Sequence, residues 1–261
     1  MNKLKSKTQL TRLELSEYLD QLLLVDHFKD FCPNGLQVQG KKHIQLIVSG
    51  VTASRALIEK AIRMHADAIL VHHGWFWKND EPVITEQLYD RLKLLMDHEI
   101  NLFAYHLPLD AHPTLGNNAS LAKELGFKTL GKAPHQELIF WGELGEDYAK
   151  GINLGQLSLK IEGVLKRKPL VIGKPNQKIK RIAWCTGAAQ GYFKEAAKLG
   201  VDAYLSGEIS EQTTHLARES GLAYIAAGHH ATERYGVQSL GKHLQEHFGI
   251  AHHFIDIENP V

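Results

Sequence analysis

The sequence predicts an α/β protein made of two similar α/β/α units, and three features carry that expectation. Short apolar runs alternate with amphipathic stretches of about 10 to 15 residues, the pattern of strands connected by helices in largely parallel sheets. The segment from Ile44 to His73 aligns without a gap on Ile179 to Glu208, an offset of 135 residues, which suggests an internal duplication. Finally, three apolar runs stop at histidine: Ala68-Ile69-Leu70-Val71 at His72-His73, Leu102-Phe103-Ala104-Tyr105 at His106, and Tyr224-Ile225-Ala226-Ala227 at Gly228-His229. In parallel sheets ligands gather at the carboxyl ends of strands, so a metal site is expected at these ends, between the two units.

In chain order, Leu13 to Val25 has the period of an amphipathic helix, and Cys32-Pro33-Asn34-Gly35-Leu36-Gln37 is expected to turn. Leu46-Ile47-Val48 forms a strand. It leads into a helix whose apolar positions Ala56, Leu57, Ala61 and Met64 lie near the 3.6 period, and Ala68 to Val71 is the next strand. Helix 86–97 and strand 102–105 follow. In the second copy, strand Ile182-Ala183-Trp184 precedes a helix with Tyr192, Phe193, Ala196 and Leu199 on one face and Gly200 as its stop. Helix 211–220 and strand 224–227 repeat the later elements. Between the copies, 145–155 is a polar loop, Asn153 caps a helix running to Lys166, and 174–178 turns. The chain closes with helix 232–248 and an edge-like strand at Phe254-Ile255-Asp256-Ile257. The expected halves are 1–130 and 131–261, with the C-terminal segment able to pack back on the first.

Bulk properties exclude several function classes. The 261 residues are 44% hydrophobic and 23% charged, ordinary for a globular enzyme. A net charge of +1 gives no general attraction for nucleic acid or for an anionic membrane, so neither is expected as a partner. No apolar run approaches the roughly 20 residues of a membrane span. The basic Met1-Asn2-Lys3-Leu4-Lys5-Ser6-Lys7 lacks the apolar core of a signal peptide. Cys32 and Cys185 are the only cysteines, too few for a disulfide framework, so a cytoplasmic protein with reduced thiols is expected. The 16 histidines are the outlier.

Imidazole with carboxylate is the ligand set that first-row divalent metals prefer. His106 is followed four residues on by Asp110, and His229 by Glu233; in a helix this spacing puts both groups on one face. The metal ligands expected are His72, His73, Asp110, His229 and Glu233. Five such ligands can hold two divalent ions with a bridging carboxylate, and such ions commonly lie roughly 3.5 to 4 Å apart. Nitrogen and oxygen ligands without cysteine admit Zn, Mn, Fe, Ni or Co and disfavour Ca and Mg. His106, the counterpart of His229, is a candidate ligand or catalytic proton carrier, and His230 a candidate general acid or base or a surface residue. Glu208 stands at the position of His73 in the second copy and is a candidate for the same cavity. Trp75-Phe76-Trp77 could be core, interface or a stacking wall for a planar base. His243, His247, His252 and His253 are expected to be solvated. The glycines near Gly50 and Gly187 form no nucleotide-binding fingerprint.

Together, Asn34-Gly35-Leu36-Gln37-Val38, His72 through Trp77, His106 to Asp110 with Ala111-His112-Pro113, Gly116-Asn117-Asn118, and Gly228-His229-His230-Ala231-Thr232-Glu233 resemble the Nif-three-like dinuclear-metal proteins, the GTP cyclohydrolase I type 2 homologues. The resemblance runs over nearly the whole chain. It implies a two-domain subunit with an internal duplication, a two-metal centre on His72, His73, Asp110, His229 and Glu233, and a ring-shaped homohexamer.

The function expected is a metal-dependent hydrolase, cyclohydrolase-like, acting on a purine nucleotide or related small molecule. A non-catalytic hexameric metal-binding scaffold or adaptor is the alternative. Phosphoester hydrolysis ranks third, because Arg234 is the only obvious cation beside the ligands.

Overall fold

A computed structural model describes residues 9–261; the basic stretch at the chain start lies outside the described residues. Helix α1 (Arg12–Leu22) begins at a capping box in which Thr11 and Glu14 satisfy each other's backbone N–H, and it buries Leu15 and Leu19, one turn apart. Then come β1 (Gly35–Val38), β2 (Leu46–Thr52), α2 (Arg55–Arg63), β3 (Ala68–His73), α3 (Glu86–Asp97), β4 (Asn101–Ala104), α4 (Leu107–Ala111) and α5 (Asn117–Leu125). An antiparallel pair, β5 (Phe127–Ala133) and β6 (Gln136–Leu144), is followed by β7 (Ile152–Asn153), α6 (Leu154–Leu165), β8 (Leu170–Ile172) and β9 (Lys178–Ile179). The chain finishes with β10 (Arg181–Cys185), α7 (Phe193–Ala197), β11 (Ala203–Ser206), α8 (Glu211–Ser220), β12 (Ala223–Ala226), α9 (His229–Phe248) and β13 (Ala251–Phe254).

The chain divides into two compact units. The first runs to Pro108 and includes Leu240–Ile257; the second is Leu109–Ser239 with Glu258–Val261. The first unit holds a five-stranded sheet in the order β1-β4-β3-β2-β13, parallel except for β1. Its core joins Val48, Ile69, Val71 and Leu102 from the sheet to Leu57, Ile58, Ala61, Leu92 and Leu95 from α2 and α3. Burying each such aliphatic side chain contributes about 1.5–3 kcal/mol. The second unit holds a six-stranded sheet, β5-β6-β10-β11-β12-β8, with a parallel centre and antiparallel flanks. Trp184, Leu205 and Ile225 pack there against Leu121, Leu125, Leu157 and Ile161. The first sheet is thus largely parallel as expected, whereas the second is mixed, because the 127–144 hairpin and β8 add antiparallel strands.

The two units repeat one set of contacts at the offset seen in the sequence. Ile47 lies opposite Ala68 in the first parallel pair, and Ile182 opposite Ala203 in the second. The Asp67 carboxylate accepts the backbone N–H of Gln45 and Leu46 at 2.9 and 3.1 Å, and the Asp202 carboxylate accepts those of Lys180 and Arg181, both at 2.8 Å. Each aspartate, standing just before one strand, therefore fastens its start to the start of the parallel neighbour.

Two expectations are corrected. The segment expected to turn at 32–37 enters β1 at Gly35, whose φ of +105° is one a glycine adopts readily. His252, expected to be solvated, lies on β13 with its Nε2 2.7 Å from the Oγ of fully buried Ser49. His243 likewise pairs with the Tyr18 hydroxyl at 2.6 Å. Cys32 and Cys185 are both buried free thiols. Among the described residues no helix is long and apolar enough to cross a membrane.

Replacing Asp67 or Asp202 by alanine strips two N–H groups of a charged acceptor, and each variant is expected to lose about 2 kcal/mol in urea unfolding. Burial and the neighbouring His253 hold the His252 imidazole down, at about 4 against an ordinary 6.5. The unfolded chain therefore takes up a proton at this residue below pH 6.5 that the folded chain refuses until about pH 4. Stability should be flat above pH 7 and fall as the pH drops. The part that disappears in His252→Asn should be about 1 kcal/mol between pH 7 and 5, because partial exposure screens the effect.

Candidate metal centre

In the first unit, His72 and His73 are the last two residues of β3, and His106 lies just beyond the neighbouring strand β4. Strand alternation alone would separate the first two, but at this strand end their ring centroids are 4.5 Å apart. The His106 ring is 5.1 Å from His72 and 5.8 Å from His73. One ligand nitrogen from each of the three lies within 4.8 Å of the others. On every ring Nδ1 faces an oxygen: the Tyr105 carbonyl at 2.9 Å for His72, the Thr52 hydroxyl at 3.3 Å for His73, and the Asp30 carboxylate at 2.7 Å for His106. The carbonyl and the carboxylate only accept, so Nδ1 donates on His72 and His106, while the Thr52 hydroxyl orients the His73 ring; in each case Nε2 is left as the atom for a metal, as in metal-binding histidines generally.

The Asn34-Gly35-Leu36-Gln37 stretch supplies the scaffold. Pairing of β1 with β4 brings Asn34 to the His106 backbone N–H, which its Oδ1 accepts at 2.7 Å. Gln37 Oε1 accepts the Trp75 N–H at 2.7 Å, and its amide donates to the Trp75 carbonyl at 3.1 Å, clamping the turn after the histidine pair. A Cβ on Gly74 would strike that Gln37 side chain and Ala104. Phe76 then takes a φ of +65°, costly for a bulky residue, and the chain reverses. Trp75 goes into the core, 6% exposed, with its indole N–H on the Ala53 carbonyl at 3.0 Å, so it is no stacking wall. Trp77 instead stands edge-on to His106, with centroids 5.0 Å apart, and 6.0 Å from His73.

In the second unit, His229 opens α9 and Glu233 lies one turn on, with Nε2 and Oε2 3.1 Å apart. His229 Nδ1 faces Glu208 Oε1 at 2.6 Å, so the second-copy counterpart of His73 serves as an anchor. Burial disfavours the charged imidazole, but the hydrogen bonds and charges of Glu233 and Glu208 outweigh it and raise His229 to about 9. Asp110, 6% exposed, accepts from the Asn117 amide at 2.8 Å and the Thr186 hydroxyl at 3.1 Å. Asn117 is fixed in turn by the Gly236 N–H. His230 is buried rather than on the surface, and its backbone N–H donates to the Val261 carbonyl at 3.0 Å.

Space around these groups is kept by glycine. Gly187, at φ +67°, donates its N–H to Thr232 Oγ1, and a Cβ there would run into Glu233 Oε1 and His229 Nε2. A Cβ on Gly207 would meet the Gly187 carbonyl and the His229 backbone. Room next to an imidazole and a carboxylate, nitrogen and oxygen donors side by side, suits a transition-metal ion. Arg234 donates to the Leu165 carbonyl at 2.9 Å, tying its guanidinium to a structural contact.

Sequence reasoning missed Asp30 and Thr186, and quoted Asn117 within a motif without giving it a role. Asn117-Asn118, two amides at the start of a helix and both wholly buried, carried a signal in their tandem placement. Asp30 carried none, because its partner is 76 residues away.

A family model described as Duf34/NIF3 (NGG1p interacting factor 3) matches residues 10–260. A protein of Allochromatium vinosum named GTP cyclohydrolase 1 type 2 homolog is 53% identical over 249 residues, covering 95% of this chain and 96% of the relative. One of the same name from Escherichia coli K12 is 49% identical, over 95% and 98% of the two chains. Among solved structures, a structural-genomics protein called ybgI, of unknown function, superposes with a TM-score of 0.91 at 47% identity, covering 97% of this chain and all of that one. TTHA1606 of Thermus thermophilus gives 0.85 at 32%, over 97% of this chain and all of its own. With its anchored histidines and its fold both accounted for, the chain belongs to the Duf34/NIF3 family.

Proposed function

We propose that the chain is a metal-dependent hydrolase that holds two divalent transition-metal ions and acts on a purine nucleotide or related ring. The supporting observation is that the histidines at the strand ends all have Nδ1 held by oxygen. The ligands we assign are His72, His73, Asp110, His229 and Glu233, for Zn, Mn, Fe, Ni or Co. When bound, such a pair of ions supplies Lewis acidity and lowers the pKa of water toward about 7. Asn117 and Thr186 orient the Asp110 carboxylate, and Glu208 orients His229. His106 and His230 are the candidates for proton transfer. Trp77 gives a planar ring an aromatic edge beside His73 and His106. The name carried by the relatives favours a cyclohydrolase-type reaction on such a ring. Assembly into a homohexameric ring belongs to the same reading, and exposed Phe31, Val83, Ile84 and Tyr89 are apolar side chains that assembly could cover.

Elemental analysis should find two ions per chain, and His72→Ala should lose metal. Turnover of GTP and of ring-damaged purine nucleotides by the metal-loaded protein should fall at least about a hundredfold in that variant, since metal activation supplies several kcal/mol. Equal turnover by both proteins would end the hydrolase reading. Full metal occupancy without turnover of any of them would leave the scaffold alternative.

Gly187→Ala should abolish metal uptake by placing a methyl group on Glu233 and His229. Gly221→Ala is the control: its φ of +73° brings similar backbone strain, about 1 kcal/mol, but nothing lies within 4 Å of the added atom. Both variants should lose comparable thermal stability, and only Gly187→Ala should lose metal.

A further inference from the structure

We propose that Arg167 is a positioning residue for His229 and Glu233: it holds Pro260-Val261 as the cap that opens α9, the helix on which both side chains stand. The inference rests on the assignment of His229 and Glu233 as metal ligands and identifies what sets their helix in place. Arg167, Pro260 and Val261 belong to the same compact unit as the two ligands.

A helix leaves its first N–H groups without partners inside the helix, and a side-chain oxygen on the residue before it commonly takes one of them. Thr11, Ser54, Asn153 and Ser210 do this for α1, α2, α6 and α8. Helix α9, 20 residues long, begins after Gly228, which has no side chain to offer. An acceptor arrives from elsewhere in the chain: the His230 N–H donates to the Val261 carbonyl at 3.0 Å.

Arg167 keeps that acceptor in place. Its Nε and Nη2 donate to the Pro260 carbonyl at 3.2 and 2.9 Å, a two-pronged grip from a planar group. The same side chain lies over Gly228, where a Cβ would come to 2.7 Å from Arg167 Cδ, 2.9 Å from Nε and 3.1 Å from Cζ. The space that a capping side chain would start from therefore holds the arginine. A cap borne by residue 228 and the grip of Arg167 exclude each other, and this chain has the second.

The fastening reaches both ligands. His229 stands between Gly228 and His230, so its backbone is fixed from either side. One turn on, Arg234, next to Glu233, donates to the Leu165 carbonyl at 2.9 Å. Residues 165–167 thus hold α9 at two levels, once beside each ligand. Helix ends fray first, and His229 is the first residue of α9 whereas Glu233 lies a turn inside. Loss of the cap would let the imidazole drift from a carboxylate that now stands 3.1 Å from its Nε2.

The test titrates cobalt(II) into the metal-free full chain and three variants, following the visible absorption of the bound ion. Arg167→Met keeps the length of the side chain without its donors. It should bind cobalt about 10- to 100-fold more weakly, as on loss of other groups that orient a metal ligand. Its absorption at saturation should also change, because the spectrum follows ligand geometry. Arg167→Lys, with one ammonium in place of the fork, should lie between. Ser210→Ala uncaps α8, which carries no ligand, and should lose comparable thermal stability with cobalt binding unchanged. In the metal-free proteins the His230 amide should exchange about fivefold faster in Arg167→Met than in wild type, the effect of one lost cap. Cobalt binding as tight in Arg167→Met as in wild type, or an equal loss in Ser210→Ala, overturns the proposal alone. Wild type that takes up no cobalt overturns it together with the ligand assignment. If Arg167→Met does not fold, the same comparison is made on Arg167→Lys. A His230 amide as unprotected in wild type as in an open chain overturns the proposal whether or not the variants fold.

Discussion

An imidazole at the end of a strand has two ring nitrogens and two free torsions, and a metal tolerates little error in either. The main constraint in this protein is the oxygen placed against Nδ1 of each histidine that matters. Tyr105, Thr52, Asp30 and Glu208 supply a carbonyl, a hydroxyl and two carboxylates, at 2.6 to 3.3 Å. Without them the rings would sample rotamers and tautomers, and any ion would have to order them at its own expense. The second unit shows the electrostatic side of the constraint. Glu208 and Glu233 hold His229 up at about 9 against the effect of burial, so the position selects positive charge before any question of which cation supplies it.

The surrounding fold serves these oxygens. Asp67 and Asp202 fasten corresponding strand starts by the same pair of backbone bonds, giving both units a parallel centre whose carboxyl ends carry the functional residues. Close approach there needs residues without side chains. Gly74 lets Gln37 lock the turn after His73, and Gly187 and Gly207 let two loops pass beside His229. Phe76 bears left-handed strain at the point where Trp75 must enter the core and Trp77 must return to the histidines. Strain at such a place is stable only because a buried indole on one side and the Gln37 clamp on the other over-determine it.

Much of this was legible in the sequence because it is periodic or local. Helices 86–97 and 211–220 coincide with the expected spans, and the capping box at Asn153 opens α6 where its side chain predicted. The His-x3-Glu spacing at His229 and Glu233 is one helical turn, as expected. What escaped was non-local. Strand β5 reads Phe-Lys-Thr-Leu-Gly-Lys-Ala, with glycine and lysines that weaken any strand signal, and only pairing with β6 makes it one. Pro33-Asn34-Gly35 has turn chemistry, yet the strand begins inside it because β4 offers an antiparallel edge. Asp30 and Thr186 act through partners about 76 residues distant, a separation at which no spacing rule operates.

The correspondence between the units also explains where they part chemically. One frame, repeated at 135 residues, presents imidazoles at the strand ends of the first unit and carboxylates at those of the second: where one has His73, the other has Glu208. The first unit brings the rings of His72, His73 and His106 together. The second sets Glu208 and Glu233 against the two nitrogens of His229. The two kinds of donor do different things for a metal: nitrogen discriminates among transition metals, and negative charge offsets positive charge. A sequence that merely repeated would supply one kind twice. Divergence at position 208, and the recruitment of Asp30 from outside the repeated segment, make the strand ends of the two units chemically different while leaving the strands, helices and aspartate fasteners beneath them alike.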